Sequence, residues 1–200
     1  MDKNALKKFT YGLFLLSARH GEKDNACIIN TAIQVASDPL RIAVVALKSN
    51  LTHDLIRSSG ALTISSITTA APFELFKHFG MQSGRNVDKF ADFAGAVRGE
   101  SGRYELAEYA NMVMDAKVLQ EVDLDSHTMF IAEVTSAKVL SEEPSCSYDY
   151  YQSNIKPKKQ EEKKKGWVCN VCGYVYEGDP LPADFICPLC KHGAEDFSPL

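Results

Sequence analysis

Four of the six cysteines form two Cys-x-x-Cys pairs near the end of the sequence: Cys169-Asn170-Val171-Cys172 and Cys187-Pro188-Leu189-Cys190, with fourteen residues between them. Two such pairs can wrap four thiolates around one metal ion in a tetrahedron. Each pair has to fold back so that both sulfurs face the ion, and Gly173, directly after the second cysteine, suits the tight turn this requires. A segment this short cannot bury a core large enough to hold itself together, so the metal has to supply the order. The ligand set by itself admits zinc as a structural ion or iron as a redox ion.

The residues around the ligands are more specific. Cys172-Gly-Tyr-Val-Tyr-Glu-Gly-Asp-Pro180 and Pro182-Ala-Asp-Phe-Ile-Cys-Pro-Leu-Cys190, with Trp167 two positions before the first ligand, resemble a rubredoxin. The short loop between the pairs resembles the small rubredoxin domains of rubrerythrins. The resemblance implies one iron held by Cys169, Cys172, Cys187 and Cys190, passing one electron at a time. Hydrogen bonds to sulfur and solvent exposure tune such a site. A small acidic module also suits brief encounters with a redox partner over a limited contact area. The rival reading is a zinc-stabilised interaction module.

The chain of 200 residues allows one ordinary domain and a small appendage. Its apolar fraction of 45% is that of a globular protein, and no apolar run is long enough to span a bilayer. The start of the chain lacks the shape of a secretory signal, and thiolate ligands favour a reducing compartment, so a cytoplasmic location is expected. Charge divides by segment. Residues 1–155 carry 15 Lys/Arg against 19 Asp/Glu, residues 156–165 six against two, and residues 166–200 one against five. The basic run is too short and its flanks too acidic to favour nucleic acid; it reads as a solvated linker, or as a tether resting on an acidic face. The expected organisation is a first domain over 1–145, a charged linker over 146–165 and the four-cysteine domain over 166–200.

The first domain has to position any second centre, and its pattern is mainly β. Apolar or alternating runs at 12–19, 26–35, 41–47, 61–67, 112–119 and 128–140 read as strands, the first two as a hairpin through His20–Asp24. Short helices fit 52–59 and 72–79. Several short strands with few helices indicate a barrel or sandwich. Cys27 lies in an apolar run and reads as core.

Polar residues gather in three places. Asn30-Thr31-Ala32 interrupts an otherwise apolar strand. Lys48-Ser49-Asn50-Leu51-Thr52-His53-Asp54 lies where a strand gives way to a helix; with Thr52 as N-cap, backbone N–H groups there would point at an anion. Phe79–Phe90 contains Ser83, Gly84, Arg85 and Lys89 in one loop, enough to complete an anion pocket, though a solvated loop fits the composition equally well.

Together with Val35-Ala-Ser-Asp-Pro39, these segments resemble the flavin reductase family, whose fold is an FMN-binding split β-barrel, over residues 5–140. The resemblance implies a homodimer with FMN near the interface. It places Asn30, Thr31 and Ala32 along the isoalloxazine and Lys48, Ser49, Asn50 and Thr52 on the phosphate side, with Ser83 in the same pocket and Arg85 and Lys89 as countercharge. Relatives often carry a histidine near the flavin where His127 stands, which makes His127 the candidate catalytic group; a strand-end histidine without a role is the alternative. No Gly-x-Gly-x-x-Gly fingerprint is present, so the pyridine nucleotide would bind against the flavin without a Rossmann domain.

The two resemblances imply an electron-transfer oxidoreductase. NADH or NADPH would reduce FMN, and the electrons would leave singly through the iron to a redox protein, a flavodiiron oxygen or nitric oxide reductase or a rubrerythrin-like peroxidase. The alternatives are a ferric or free-flavin reductase with an accessory iron domain, and a non-catalytic carrier.

Overall fold

The computed structural model describes residues 2, 5, 8–157 and 166–200. Most of the basic run therefore lies outside the described residues. The chain divides into two compact units, Met1–Lys156 and Pro157–Leu200.

The first unit is built on one antiparallel sheet: β1 (Phe14–His20), β2 (Lys23–Ile29), β3 (Ala32–Ser37), β4 (Leu40–Leu47), β5 (Ala61–Ile67), β8 (Ala110–Leu124) and β9 (His127–Val139). A small separate hairpin, β6 (Ala96–Arg98) and β7 (Tyr104–Leu106), lies between β5 and β8 in sequence. The sheet order is β2-β1-β5-β8-β9-β4-β3. Its two outermost strands, β2 and β3, are joined by Asn30 and Thr31 alone. Three Cα steps reach at most about 11 Å, whereas a flat seven-stranded sheet would separate its edges by about 29 Å. The sheet therefore curls until its edges meet, and Asn30-Thr31 marks the seam. There the Val45 N–H donates to the Thr31 carbonyl at 3.0 Å.

The expected strand over 26–35 is thus two strands with a break at its polar pair. The break puts the two halves at opposite ends of the sheet order, which a continuous strand could not do. The runs at 112–119 and 128–140 belong to one long hairpin whose turn, Asp125-Ser126, brings Leu124 opposite His127.

Both faces of β1 are buried, which explains its uninterrupted apolar run. Leu16 and Ala18 join a cluster with Val44, Leu62 and Phe130, while Leu15, with Leu13 just ahead of the strand, joins a second with Phe76, Phe79 and Phe90. Helix α1 (Leu51–Ser59) supplies Leu55 and Ile56 to the first cluster, and α2 (Phe73–Gly80) supplies Leu75, Phe76 and Phe79 to the second. Gly60 ends α1 at φ 68°, the left-handed conformation that glycine adopts without steric cost, and its N–H returns to the Ile56 carbonyl. The cap position at the other end belongs to Asn50, one residue before the helix, and not to Thr52. Thr52 is fully buried in the first turn, where it accepts a hydrogen bond from Asn25 Nδ2 at 2.9 Å.

The expected linker begins too early. Ser145 bridges Thr68, Ser147 bridges Gly12, and Cys146 is fully buried. The helical turn α3 (Tyr148–Tyr150) continues as a π-helix, Tyr151–Ile155, whose Tyr151 ring packs 4.6 Å from that of Phe76. Tyr151 and Tyr148 pack into the cluster that α2 joins, whereas Tyr150 is exposed, so the first unit extends to Lys156.

The second unit has three short strands, β10 (Trp167–Cys169), β11 (Val175–Tyr176) and β12 (Phe197–Pro199), in the order β11-β10-β12. Phe185 stands edge-on to Phe197 at 5.4 Å and lies 4.6 Å from Tyr176, giving a small aromatic core beside the cysteines.

Candidate metal centre and flavin cleft

The two cysteine pairs adopt one geometry. The Gly173 N–H donates to the Cys169 carbonyl at 2.9 Å, and the Lys191 N–H to the Cys187 carbonyl at 3.0 Å. Both turn residues have positive φ, 75° at Gly173 and 64° at Lys191. The four Sγ atoms lie within 4.8 Å of one another, with Cys169–Cys190 and Cys172–Cys187 each at 3.5 Å. Metal–sulfur bonds of about 2.3 Å in a tetrahedron place sulfurs about 3.8 Å apart, so the cage fits one ion of iron or zinc size. Backbone groups favour thiolate here. Burial acts to raise the Cys187 pKa, but N–H groups of Cys190 and Leu189, with the neighbouring thiols, lower it, while the same thiol–thiol interactions leave Cys172 and Cys190 raised, so the charge of one thiolate is shared within the cage. Cys169 and Cys187 are buried, whereas Cys172 is exposed, so one edge of the cage meets solvent.

In the first unit a cleft of about 480 Å³ opens at the barrel seam, lined by Ile28, Ile29, Asn30, Thr31, Val45, Leu47, Asn50, Gly80, Leu124 and His127. Aliphatic side chains alternate with polar groups along this lining, a mixture that can hold a heteroaromatic ring and orient its polar edge. Four expected residues meet here: Asn30 and Thr31 at the seam, Asn50 ahead of α1, and His127, which the β4–β9 pairing sets opposite Leu47. Thr31 Oγ1 donates to Asn30 Oδ1 at 3.1 Å, and His127 Nδ1 lies 2.8 Å from Ser126 Oγ. Ala32 opens β3 and packs against the barrel core beside the cleft.

The expected anion cluster is rearranged. Lys48 Nζ pairs with Asp123 at 2.7 Å, and Arg85 Nη2 with Asp54 Oδ2 at 2.6 Å. Arg85 Nε also donates to the Ser49 carbonyl at 3.4 Å, and the Arg85 N–H to Ser83 Oγ at 3.2 Å, so Ser49, Ser83 and Arg85 do come together. Arg85, then His53, holds the Asp54 carboxyl below its ordinary pKa. Both ion pairs are solvent-exposed, where water and salt screen them and little stability rests on them. Neither cation is therefore locked to its carboxylate. Thr52 presents no hydroxyl to this cluster, because its hydroxyl is bonded inside the unit to Asn25.

Lys89 departs furthest from expectation. It is 3% exposed, and its Nζ donates to the carbonyls of Ala26 and Phe79 at 2.8 Å each. It cannot reach a phosphate in solvent. Burial lowers its pKa from the ordinary lysine value.

Asp54 stood in the expected anion segment without its pairing to Arg85, and neither Asp123 nor the apolar walls were singled out from the sequence. The wall residue Leu124 had a signal, the polar pair Asp125-Ser126 between two apolar runs, which reads as a hairpin turn. The pairings of Asp54 and Asp123 had none, because their partners are distant in sequence. Among the described residues no helix is long and apolar enough to cross a membrane.

Residues 6–159 match the family described as flavin reductase like domain, and residues 167–198 the rubrerythrin, rubredoxin-like domain. The high molecular weight rubredoxin of Moorella thermoacetica is 35% identical over 98% of this chain and 99% of its own length. The ferric-chelate reductase (NAD(P)H) of Archaeoglobus fulgidus is 33% identical over 76% of this chain and 89% of its own. Among solved structures, the NADH:FAD oxidoreductase of Streptomyces globisporus C-1027 superposes with a TM-score of 0.65 at 18% identity, over 72% of this chain and 83% of that one. This chain belongs to the flavin reductase family and carries a rubredoxin-like domain after its barrel.

Proposed function

We propose that the protein is an NAD(P)H-dependent oxidoreductase that holds FMN in the seam cleft and one iron in the sulfur cage, and passes electrons to a redox protein. When bound, the flavin links a two-electron hydride donor to one-electron acceptors, and a four-thiolate iron supplies a one-electron exit. One observation carries the reading: a cleft at the barrel seam, lined by Asn30, Thr31, Asn50 and His127 among aliphatic side chains, and a four-sulfur cage occur on the same chain. The likeness to a high molecular weight rubredoxin over nearly the full length supports it.

The residues divide the work. Ile28, Ile29, Val45, Leu47 and Leu124 exclude water from the ring, and Asn30, Thr31 and Asn50 orient its polar edge. Arg85 and Lys48, released from Asp54 and Asp123, face the phosphate, with Ser49 and Ser83 fixing Arg85. His127 stands at the cleft wall, where it can hold a proton near the ring. Strand β3 leaves Ile33 and Val35 exposed, as a homodimer contact beside the cleft would require. The protein acceptor is a flavodiiron oxygen or nitric oxide reductase, with a rubrerythrin-like peroxidase as the second choice. A reducing, cytoplasmic setting follows from the thiolate ligands.

The likeness of the barrel to a ferric-chelate reductase favours a second reading, in which ferric iron or free flavin takes the electrons and the sulfur cage is accessory. Anaerobic titration with NADH separates the two. Loss of both flavin and ferric absorbance is the expected result. Loss of the flavin bands alone favours the second reading, and no change in either band overturns NADH as the donor.

A further inference from the structure

We infer that the buried ammonium of Lys89 sets the electrostatic field at the seam cleft, so that reduced flavin is held more tightly than oxidised flavin and its reduction potential is raised. The inference rests on the flavin reading of the cleft and assigns Lys89 a role other than phosphate binding.

Three observations carry it. Lys89 Nζ bonds to the carbonyls of Ala26 and Phe79, and the residues that follow on those same two elements line the cleft, Ile28 and Ile29 on β2 and Gly80 at the end of α2. Cys27, between Ala26 and Ile28 on β2, is buried; that burial pushes its thiol pKa up, and the Lys89 charge acts against it. The ammonium is thus one layer behind the wall. Among the described residues no carboxylate pairs with it, in contrast to Arg85 and Lys48, whose exposed charges are each offset by an aspartate. A charge in a buried, low-dielectric position acts over a longer range than one in solvent. The Phe79 carbonyl belongs to the negative end of α2 and offsets part of the charge, but two carbonyl dipoles do not cancel a formal cation.

Reduction by a hydride adds two electrons and one proton to the ring, leaving one more negative charge in the cleft, while the nicotinamide donor is oxidised. The ammonium stabilises that charge. Burial lowers the Lys89 pKa, and a negative charge in the cleft acts in the opposite direction, so each charge favours the other. Lys89 would act on the flavin through space and touches neither ring nor substrate.

The test measures the potential of bound FMN by spectroelectrochemistry, together with the affinities for oxidised and reduced FMN, in the wild-type holoprotein, K89Q and K89R. K89Q should lower the preference for reduced over oxidised FMN about tenfold, which is about 30 mV for a two-electron couple, and K89R should restore it to within twofold. A purely structural role would weaken both forms alike and leave the potential in place. That result, FMN bound with an unchanged potential, overturns the inference and leaves the flavin reading standing. A wild-type protein that binds no flavin overturns the flavin reading as well. Should K89Q fail to fold, the wild type decides alone: its bound FMN must have a higher potential than free FMN, and a lower one overturns the inference.

Discussion

The two units reach order by opposite routes. The barrel unit buries two large apolar clusters, and its cleft lies where the closing sheet leaves a seam. The second unit spans Pro157–Leu200 and buries Cys169, Cys187 and Phe197 as the centre of its small cluster, so its ligands are also its core. A core that packing creates can lose its cofactor and survive. One made of ligands cannot.

The sharpest way to break this contrast is to remove the metal. Chelation, or Cys187→Ser, should remove a contribution on the order of 10 kcal/mol from the second unit and unfold it. Amide signals of residues 166–200 should collapse to random-coil positions while those of the barrel stay dispersed. Retained dispersion in the metal-free tail would show that its aromatic cluster suffices. The converse change is Phe130→Ala. Phe130 is fully buried, with its ring 5.6 Å from that of His53, and its loss should cost the barrel about 4 kcal/mol in denaturant unfolding. The absorbance of the metal centre should not move.

The same contrast explains what the sequence disclosed. Four ligands in two close-set pairs lie within 22 residues, so local spacing alone was enough to specify the cage. Gly173 also announced its turn, whereas Lys191, at the equivalent position, gave no sign because positive φ is uncommon in a residue with a side chain. The cleft was legible only in part. Asn30, Thr31, Asn50 and His127 could be found one by one, but not the closure that gathers them, since closure depends on strands far apart in the chain. Lys89 misled because a lysine among polar loop residues reads as exposed. Its burial is decided by carbonyls of Ala26 and Phe79, which composition does not reveal.

Polar burial offers an intermediate test. Asp115 Oδ1 accepts from Thr63 Oγ1, from Ser101 Oγ at 2.8 Å and from Arg103 Nη2 at 3.0 Å, tying β5 and β8 to the loop of the β6–β7 hairpin. Burial acts to raise the Asp115 pKa, but these partners outweigh it and leave the pKa lowered. The unfolded chain therefore binds the proton more readily, and stability falls as pH drops from about 4 towards the lower folded pKa. Asp115→Asn should cost the barrel about 3 kcal/mol at neutral pH, and unfolding midpoints measured from pH 6 to 2 should show a flatter acid limb. A limb as steep as in wild type would assign the acid sensitivity to other carboxylates.

The smallest effect on stability should accompany the most informative effect on binding. Arg85 is 47% exposed at its side chain and pairs with an Asp54 that is 46% exposed, so Arg85→Ala should change barrel stability by less than about 1 kcal/mol. If Arg85 faces the phosphate, the variant should bind FMN about tenfold more weakly, a loss of about 1.4 kcal/mol, while its affinity for riboflavin, which lacks the phosphate, stays the same. Fluorescence titration of both flavins against wild type and variant measures the two affinities. Equal weakening of both would place Arg85 against the ring instead. No weakening of either would mean that the Asp54 pair is Arg85's whole role, and that the phosphate end of the cleft lies elsewhere on the seam.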